Sequence, residues 1–280
     1  MTTDTQTTSG FLPVEGGELY YEVTGTGHPL VLIHAGVADL RQWDPQVPAF
    51  ARHYRVIRYD TRGYGKTRTQ AVSFSNRQDL YDLLKHLGVE HAYVLGNSRG
   101  GQIAIDFTVE HPEMVDALIP VAAGLSGYQP ESFTPAQHEI DAETQMGELL
   151  ERGDFDALAD LEVRFWADGP GQPEGRAAPE VREKLRLMIR ENYARNEPEP
   201  QARPLEPPAA PRLAEIQVPT LVMIGDLDES ATRLMADALT DGIAGARKVV
   251  FPGVAHMVNM ERPQEFTQTV LDFLQDLPRE

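Results

Sequence analysis

The chain has 280 residues, 41% hydrophobic and 24% charged, and its 25 Lys+Arg against 43 Asp+Glu leave a formal net charge of -18 at pH 7. This is the composition of an ordinary globular protein with one large core, and its negative balance argues against nucleic-acid or membrane partners. With no cysteine there is no disulfide framework, thiolate nucleophile or Cys-ligated metal, and the polar start MTTDTQTTSG and the lack of a long apolar run make a cytoplasmic protein the expectation.

Along the chain, short apolar runs rich in Val, Ile and Tyr alternate with segments of helical period, the rhythm of an α/β protein with a mostly parallel sheet. The runs cover residues 19–23, 30–34, 54–59, 92–95, 117–122, 220–224 and 248–251. Most lack polar alternation, as strands covered on both faces do. After the third run, Leu80, Leu83, Leu84 and Leu87 fall at helical spacing behind Ser75 and Gln78, which read as a capping box. The rhythm stops between about Gly124 and Pro211, where no strand is expected and helices are expected near 135–151, 155–166 and 179–194. Six of the 21 prolines fall in 196–211, whose fixed φ and missing donors suit a stiff connector. The pattern then resumes and ends in a helix striped by Phe266, Val270, Phe273, Leu274 and Leu277. The expected organisation is a core domain of residues 1–123 and 212–280, with 124–211 as a helical cap and its Pro-rich return linker.

The run 92–95 leads into Gly96, Asn97, Ser98, Arg99, Gly100 and Gly101 and then a helical stretch. This is G-x-S-x-G in strand, turn, helix context, where a strained turn lifts the serine above the sheet and the glycines remove colliding Cβ atoms. A serine hydroxyl needs a base at neutral pH, which points to histidine. Of eight histidines, His256 lies in the loop between the last strand and the last helix, among small and apolar residues. His53, His86, His91 and His111 sit at helix or loop ends, and His28 and His138 in polar stretches. The imidazole in turn needs a carboxylate to fix its tautomer. The run 220–224 is followed by Asp226, Asp228 and Glu229; Asp228 is the favoured acid and Asp226 its competitor, while residues 123–126 offer none.

The chain order Ser98, Asp228, His256 resembles the α/β-hydrolase family over nearly the whole chain. Further matches are Leu32, Ile33, His34, Ala35 and Gly36, the turn from Asp60 to Gly65, and the acid and histidine loops. The resemblance implies a mostly parallel central sheet flanked by helices, with a helical cap inserted after the sixth strand. It also implies an oxyanion hole made by the amide of Arg99 and one from the first segment. Because His-Ala-Gly stands where His-Gly is usual, Ala35 is favoured, with Gly36 and Val37 close behind. Arg62 is expected to tie loops together through Asp60 or another carboxylate.

A serine rather than an aspartate at the turn argues against epoxide opening or halide displacement. The expectation is a serine hydrolase that cleaves a carboxylic ester or lactone through an acyl-enzyme on Ser98, with no cofactor and no metal. The segments at Trp43 to Gln46 and Phe165 to Gly169 resemble enol-lactone hydrolases and carboxylesterase-like members. Asn97 instead resembles hydrolases that cleave a carbon-carbon bond in vinylogous diketone ring-fission products, the alternative; a non-catalytic ligand-binding relative is the third. Substrate contacts are sought at His34, Gly36, Val37, Trp43, Asn97, Trp166 and Met257, although Trp166, like Met188, also suits a core. Arg99 suits either a substrate carboxylate or, more readily, the solvent. Arg164, Arg182, Arg186 and Arg190 read as a solvated helix face. The expected partner is a small ester or lactone, and the expected state a monomer or homodimer.

Overall fold

The computed structural model describes residues 6–130, 132–195 and 200–277. Eight strands carry the main sheet: β1 (Thr7–Val14), β2 (Gly17–Thr24), β3 (Pro29–Ile33), β4 (Arg55–Tyr59), β5 (Ala92–Asn97), β6 (Val115–Val121), β7 (Leu221–Gly225) and β8 (Arg247–Phe251). Their order is β1-β2-β4-β3-β5-β6-β7-β8, and the two-residue strand Arg68–Thr69 adds a ninth, paired with β2. The β1/β2 and β2/β4 pairs are antiparallel, and from β4 to β8 all neighbours run parallel. The longer helices are α1 (Asn76–His86), α2 (Arg99–Glu110), α3 (Gln137–Arg152), α4 (Phe155–Val163), α5 (Pro179–Tyr193), α6 (Ser230–Gly242) and α7 (Pro263–Gln275). This is the helix-flanked, mostly parallel sheet that the resemblance implies.

The continuous apolar runs reflect burial on both faces. In β3, Val31 and Ile33 join Leu80 and Leu83 of α1 and Phe107 of α2 on one side. Leu30 and Leu32 join Phe266 and Val270 of α7 on the other, as the period-2 alternation of a strand requires. Strand β1 has no such signal, since among its eight residues only Leu12 is buried; it is recruited by its hairpin pairing with β2. At α1, Ser75 Oγ accepts from the Gln78 amide, but the Gln78 side chain turns to Asp82, so half of the expected capping box forms.

The segment between β6 and β7 carries α3, α4 and α5, and α4 runs on through a π-helical turn, Arg164–Asp168. Contrary to expectation it also holds a strand: Gln201–Ala202 pairs in parallel with Ser73–Phe74. Of the proline-rich stretch, residues 196–199 lie outside the described residues. The remainder is anchored, with Leu205 and Ala209 buried in the main core. A third apolar cluster joins Val163, Leu185, Met188 and Ile189 of the helical segment to Ala35, Ala38, Met257 and Met260 at the sheet's loops. The helical segment therefore sits on the loops at the carboxyl ends of the strands. No helix among the described residues is long and apolar enough to cross a membrane.

Candidate active site

Ser98 follows β5 at φ 55° and ψ -119°, and with Ala122 it is one of two non-glycine residues at positive φ among those described. Such a conformation costs about 1–3 kcal/mol and persists only when its surroundings over-determine it. Here the Ser98 amide donates to Val121 O (2.8 Å), and its carbonyl accepts from the amides of Gln102 (3.0 Å) and Gly124 (3.2 Å). The flanking glycines are steric necessities. A Cβ on Gly96 would overlap Gly100 O, and one on Gly100 would overlap Ile33 O and lie 2.6 Å from His34 O. Gly100→Ala should therefore destabilise by about 3 kcal/mol or more, because backbone cannot yield as a side chain can. Thermal unfolding would read this as a midpoint at least about 6 °C lower; an unchanged midpoint would contradict the packing described.

Beyond β7, Leu227 N donates to Val254 O (2.9 Å), which binds the acid loop to the histidine loop. His256 Nδ1 lies 2.8 and 3.0 Å from the two carboxylate oxygens of Asp228, and both side chains are buried. Asp226 instead accepts from the Gly253 amide at the surface (2.7 Å), and Glu229 from the Thr232 hydroxyl. With Nδ1–H committed to Asp228, Nε2 keeps its lone pair. Burial works to lower the His256 pKa, but the charge and hydrogen bond of Asp228, with the charge of Glu229, outweigh it and raise it above its ordinary value. The Trp166 ring lies over the imidazole, with centroids 4.5 Å apart, and its carbonyl accepts from the His256 amide. Asn97 Nδ2 reaches the His256 carbonyl at 3.5 Å, so the residue before Ser98 touches the histidine loop. Among the described residues no hydrogen bond joins Ser98 Oγ to His256; contacts of this kind commonly tighten only around a substrate.

The segment after β3 corrects the sequence reading. The Ala35 amide is already spent on Gln42 Oε1 (2.9 Å), so it is not free to bind an oxyanion. The Gly36 amide has no hydrogen-bond partner among the described residues. A Cβ there would sit 3.5 Å from Arg99 Cβ, which places Gly36 beside the first turn of α2. That turn carries unpaired backbone N–H groups, Arg99's among them.

Four expected substrate contacts turn out to be enclosed structural residues. His34 is buried, its Nδ1 bonded to Ala35 O (2.7 Å) and its Nε2 accepting from the Thr61 amide (3.0 Å). Burial, aided by the Arg99 charge, lowers its pKa to about 4 and keeps it neutral. Trp43 packs in the core against Phe266, and Met257 is buried in the cluster beneath the helical segment. Asn97 is spent on a buried amide network that sequence reasoning missed. Gln42 Nε2 donates to Asn97 Oδ1 (2.6 Å) and Asn259 Oδ1 (3.0 Å). Asn97 Nδ2 donates to Val121 O, and Asn259 Nδ2 to Gln46 Oε1. The network fastens the Ala35 loop, the serine turn and the histidine loop to one another.

A cavity of about 460 Å³ opens beside the turn, lined among others by Gly36, Val37, Tyr64, Arg99, Ile189 and Asn192. Ser98 and His256 are not part of its lining; Arg99 is the link. Arg99 is half-buried on this wall. Its Nη2 donates to Thr61 Oγ1 (2.5 Å), and its guanidinium lies 4.6 Å from the centre of the Tyr64 ring. Arg62 and Arg195 also line this cavity, and none of its described lining residues is acidic. Arg62 forms a bidentate pair with Asp79, not Asp60. On the helical segment Arg164, Arg182, Arg186 and Arg190 pair with Glu174, Asp168, Asp160 and Asp156. His28, His91 and Asp116, far apart in the chain, meet at the other end of the sheet.

Residues 28–263 match the family described as alpha/beta hydrolase fold. A 2-hydroxy-6-oxononadienedioate/2-hydroxy-6-oxononatrienedioate hydrolase of Paraburkholderia phymatum is 31% identical, over 93% of this chain and 93% of its own. A 2-hydroxy-6-oxo-6-(2'-aminophenyl)hexa-2,4-dienoic acid hydrolase of Metapseudomonas resinovorans is 27% identical, over 94% and 90%. Among solved structures, the enol-lactonase of Burkholderia xenovorans aligns with a TM-score of 0.76 at 28% identity, over 95% of this chain and 100% of that one. With the sheet order, the serine turn and this match over most of its length, the chain belongs to the alpha/beta hydrolase fold family and is a hydrolase.

Proposed function

We propose that the protein cleaves a carboxylic ester or lactone through an acyl-enzyme on Ser98, beneath a cap formed by residues 124–211. The observation that carries this reading is the buried 2.8 Å pair of His256 Nδ1 and Asp228, whose loop touches the residue before a serine at φ 55°. Ser98 Oγ attacks the carbonyl carbon while His256 Nε2 takes its proton. The charge that develops on the carbonyl oxygen is met by the amides of Arg99 and Gly36, and each such donor is worth about 3 kcal/mol of barrier. His256 then returns the proton to the leaving oxygen, removes one from water, and the resulting hydroxide releases the acid and regenerates Ser98. Similarity to an enol-lactonase supports the acyl reading. The arginines on this wall beside the nucleophile, with no acid among its described lining residues, suit an acyl compound that carries a carboxylate.

The second reading is hydrolysis of a carbon-carbon bond next to a ketone, favoured by the names of the curated relatives at 27% and 31% identity. One experiment separates the two: an enol lactone, a short-chain ester and a vinylogous diketone acid are offered side by side and products are weighed by mass spectrometry. Turnover of the lactone or ester with the diketone acid intact is expected; the reverse would overturn the ester reading. In the same panel Arg99→Met, which keeps the backbone amide, should raise KM about 10-fold or more for an acid-bearing ester and leave a neutral ester little changed. Equal effects on both would remove Arg99 from carboxylate binding. Labelling of Ser98 by a serine-directed organophosphate is expected, and its absence would favour a non-catalytic relative.

A further inference from the structure

At the end of the sheet remote from Ser98, the order β3-β5-β6 brings three side chains together. His28 precedes the first residue of β3, His91 precedes the first residue of β5, and Asp116 is the second residue of β6. Leu30 pairs with Tyr93, so the β3/β5 register carries His28 alongside His91. Between β5 and β6 the register slips from Ala92 opposite Val115 to Tyr93 opposite Ala117, leaving Asp116 as the extra residue of a bulge. Bulges re-aim side chains, and this one turns Asp116 onto both imidazoles. His28 Nε2 is 3.0 Å and His91 Nδ1 2.5 Å from Asp116 Oδ2. The three ligand atoms lie within 4.8 Å of one another. They open on a cavity of about 810 Å³ whose lining includes Arg52, His53, Tyr54 and Leu274, so an ion has a path from solvent.

We propose that His28, His91 and Asp116 form a binding site for a divalent transition-metal ion, Zn²⁺ by the nature of its donors, that clips the starts of three core strands together. Two imidazole nitrogens and one carboxylate oxygen are borderline donors of the kind Zn²⁺ takes, and three protein ligands leave a fourth position for water. Tetrahedral bonds of about 2.0–2.2 Å require ligand atoms about 3.3 Å apart, so small side-chain rotations from the present separations suffice. A chain without cysteine offers no softer ligand to compete.

The test is calorimetric titration of the full, chelator-treated chain with Zn²⁺ alone. One equivalent is expected to bind and to raise the thermal midpoint. His91→Gln and Asp116→Asn should each weaken binding at least about 10-fold, while His53→Gln, which alters the cavity lining outside the cluster, should not. Ester turnover should be the same with and without Zn²⁺. Absence of uptake, or uptake unchanged in both cluster variants, would overturn the site. Co²⁺ on the unmodified chain provides a check that needs no variant. A visible absorption band of four-coordinate character is expected, and a spectrum identical to aqueous Co²⁺ would count against the proposal.

Discussion

Ser98→Ala is expected to lower kcat/KM for a short-chain ester by about 10⁴ to 10⁶, the range seen when a serine nucleophile is removed while the oxyanion donors remain. The thermal midpoint should stay within about 2 °C of the parent. The Ser98 hydroxyl has no hydrogen-bond partner among the described residues, so removing it strands no buried polar group. Alanine also keeps the Cβ that makes φ 55° unfavourable. Ser98→Gly distinguishes the two burdens carried by this position: activity should be lost equally, yet the midpoint should rise by about 2–6 °C as roughly 1–2 kcal/mol of backbone strain is relieved. Paired steady-state kinetics and thermal unfolding of the two variants read both effects. Retention of more than about a tenth of the activity in Ser98→Ala would remove the serine from the chemistry.

The parts of this molecule that were legible in its sequence are those whose signal is local. Four successive apolar positions in β3 announce a strand covered on both sides, and the stripe through Phe266, Val270 and Leu274 announces the helix that covers one of them. The serine turn is legible because its glycines flank Ser98 at fixed spacing, where a Cβ on Gly96 would meet the Gly100 carbonyl and one on Gly100 the Ile33 carbonyl. The rest depends on partners that meet only in the fold. Whether Ala35 or Gly36 offers a free amide is decided by Gln42, which follows seven residues after Ala35 and whose side-chain oxygen has no periodicity to reveal its target. Trp43 looks like a pocket residue until Phe266 is seen against it. Arg99 is tied to Thr61 and Tyr64 of another loop, a pairing no local pattern announces. The His28, His91 and Asp116 group arises from strand order and one bulge, neither of which any spacing in the sequence records.

Asp228→Asn should lower kcat by about 10⁴ with the fold intact, because an amide that donates to Nδ1 forces the imidazole proton onto Nε2, the nitrogen that must accept from Ser98. Asp226→Asn should change kcat by less than about 5-fold, since among the described residues the Asp226 carboxylate accepts a hydrogen bond only from the Gly253 amide on the surface. The pH profile supplies an independent readout. A protonated His256 cannot take the serine proton, so activity is lost as pH falls, and because Asp228 and Glu229 raise the imidazole pKa against the opposing effect of burial, the acid limb of kcat/KM should have its midpoint above the ordinary histidine value of about 6.5. Removing the carboxylate leaves burial as the dominant influence. The residual activity of Asp228→Asn should therefore titrate at a lower pH than the parent, while its plateau is far smaller. A crippled Asp226→Asn beside an active Asp228→Asn would transfer the acid's role. An acid limb that does not move in Asp228→Asn would mean that the titrating group is not His256, since no other histidine among the described residues shares that carboxylate.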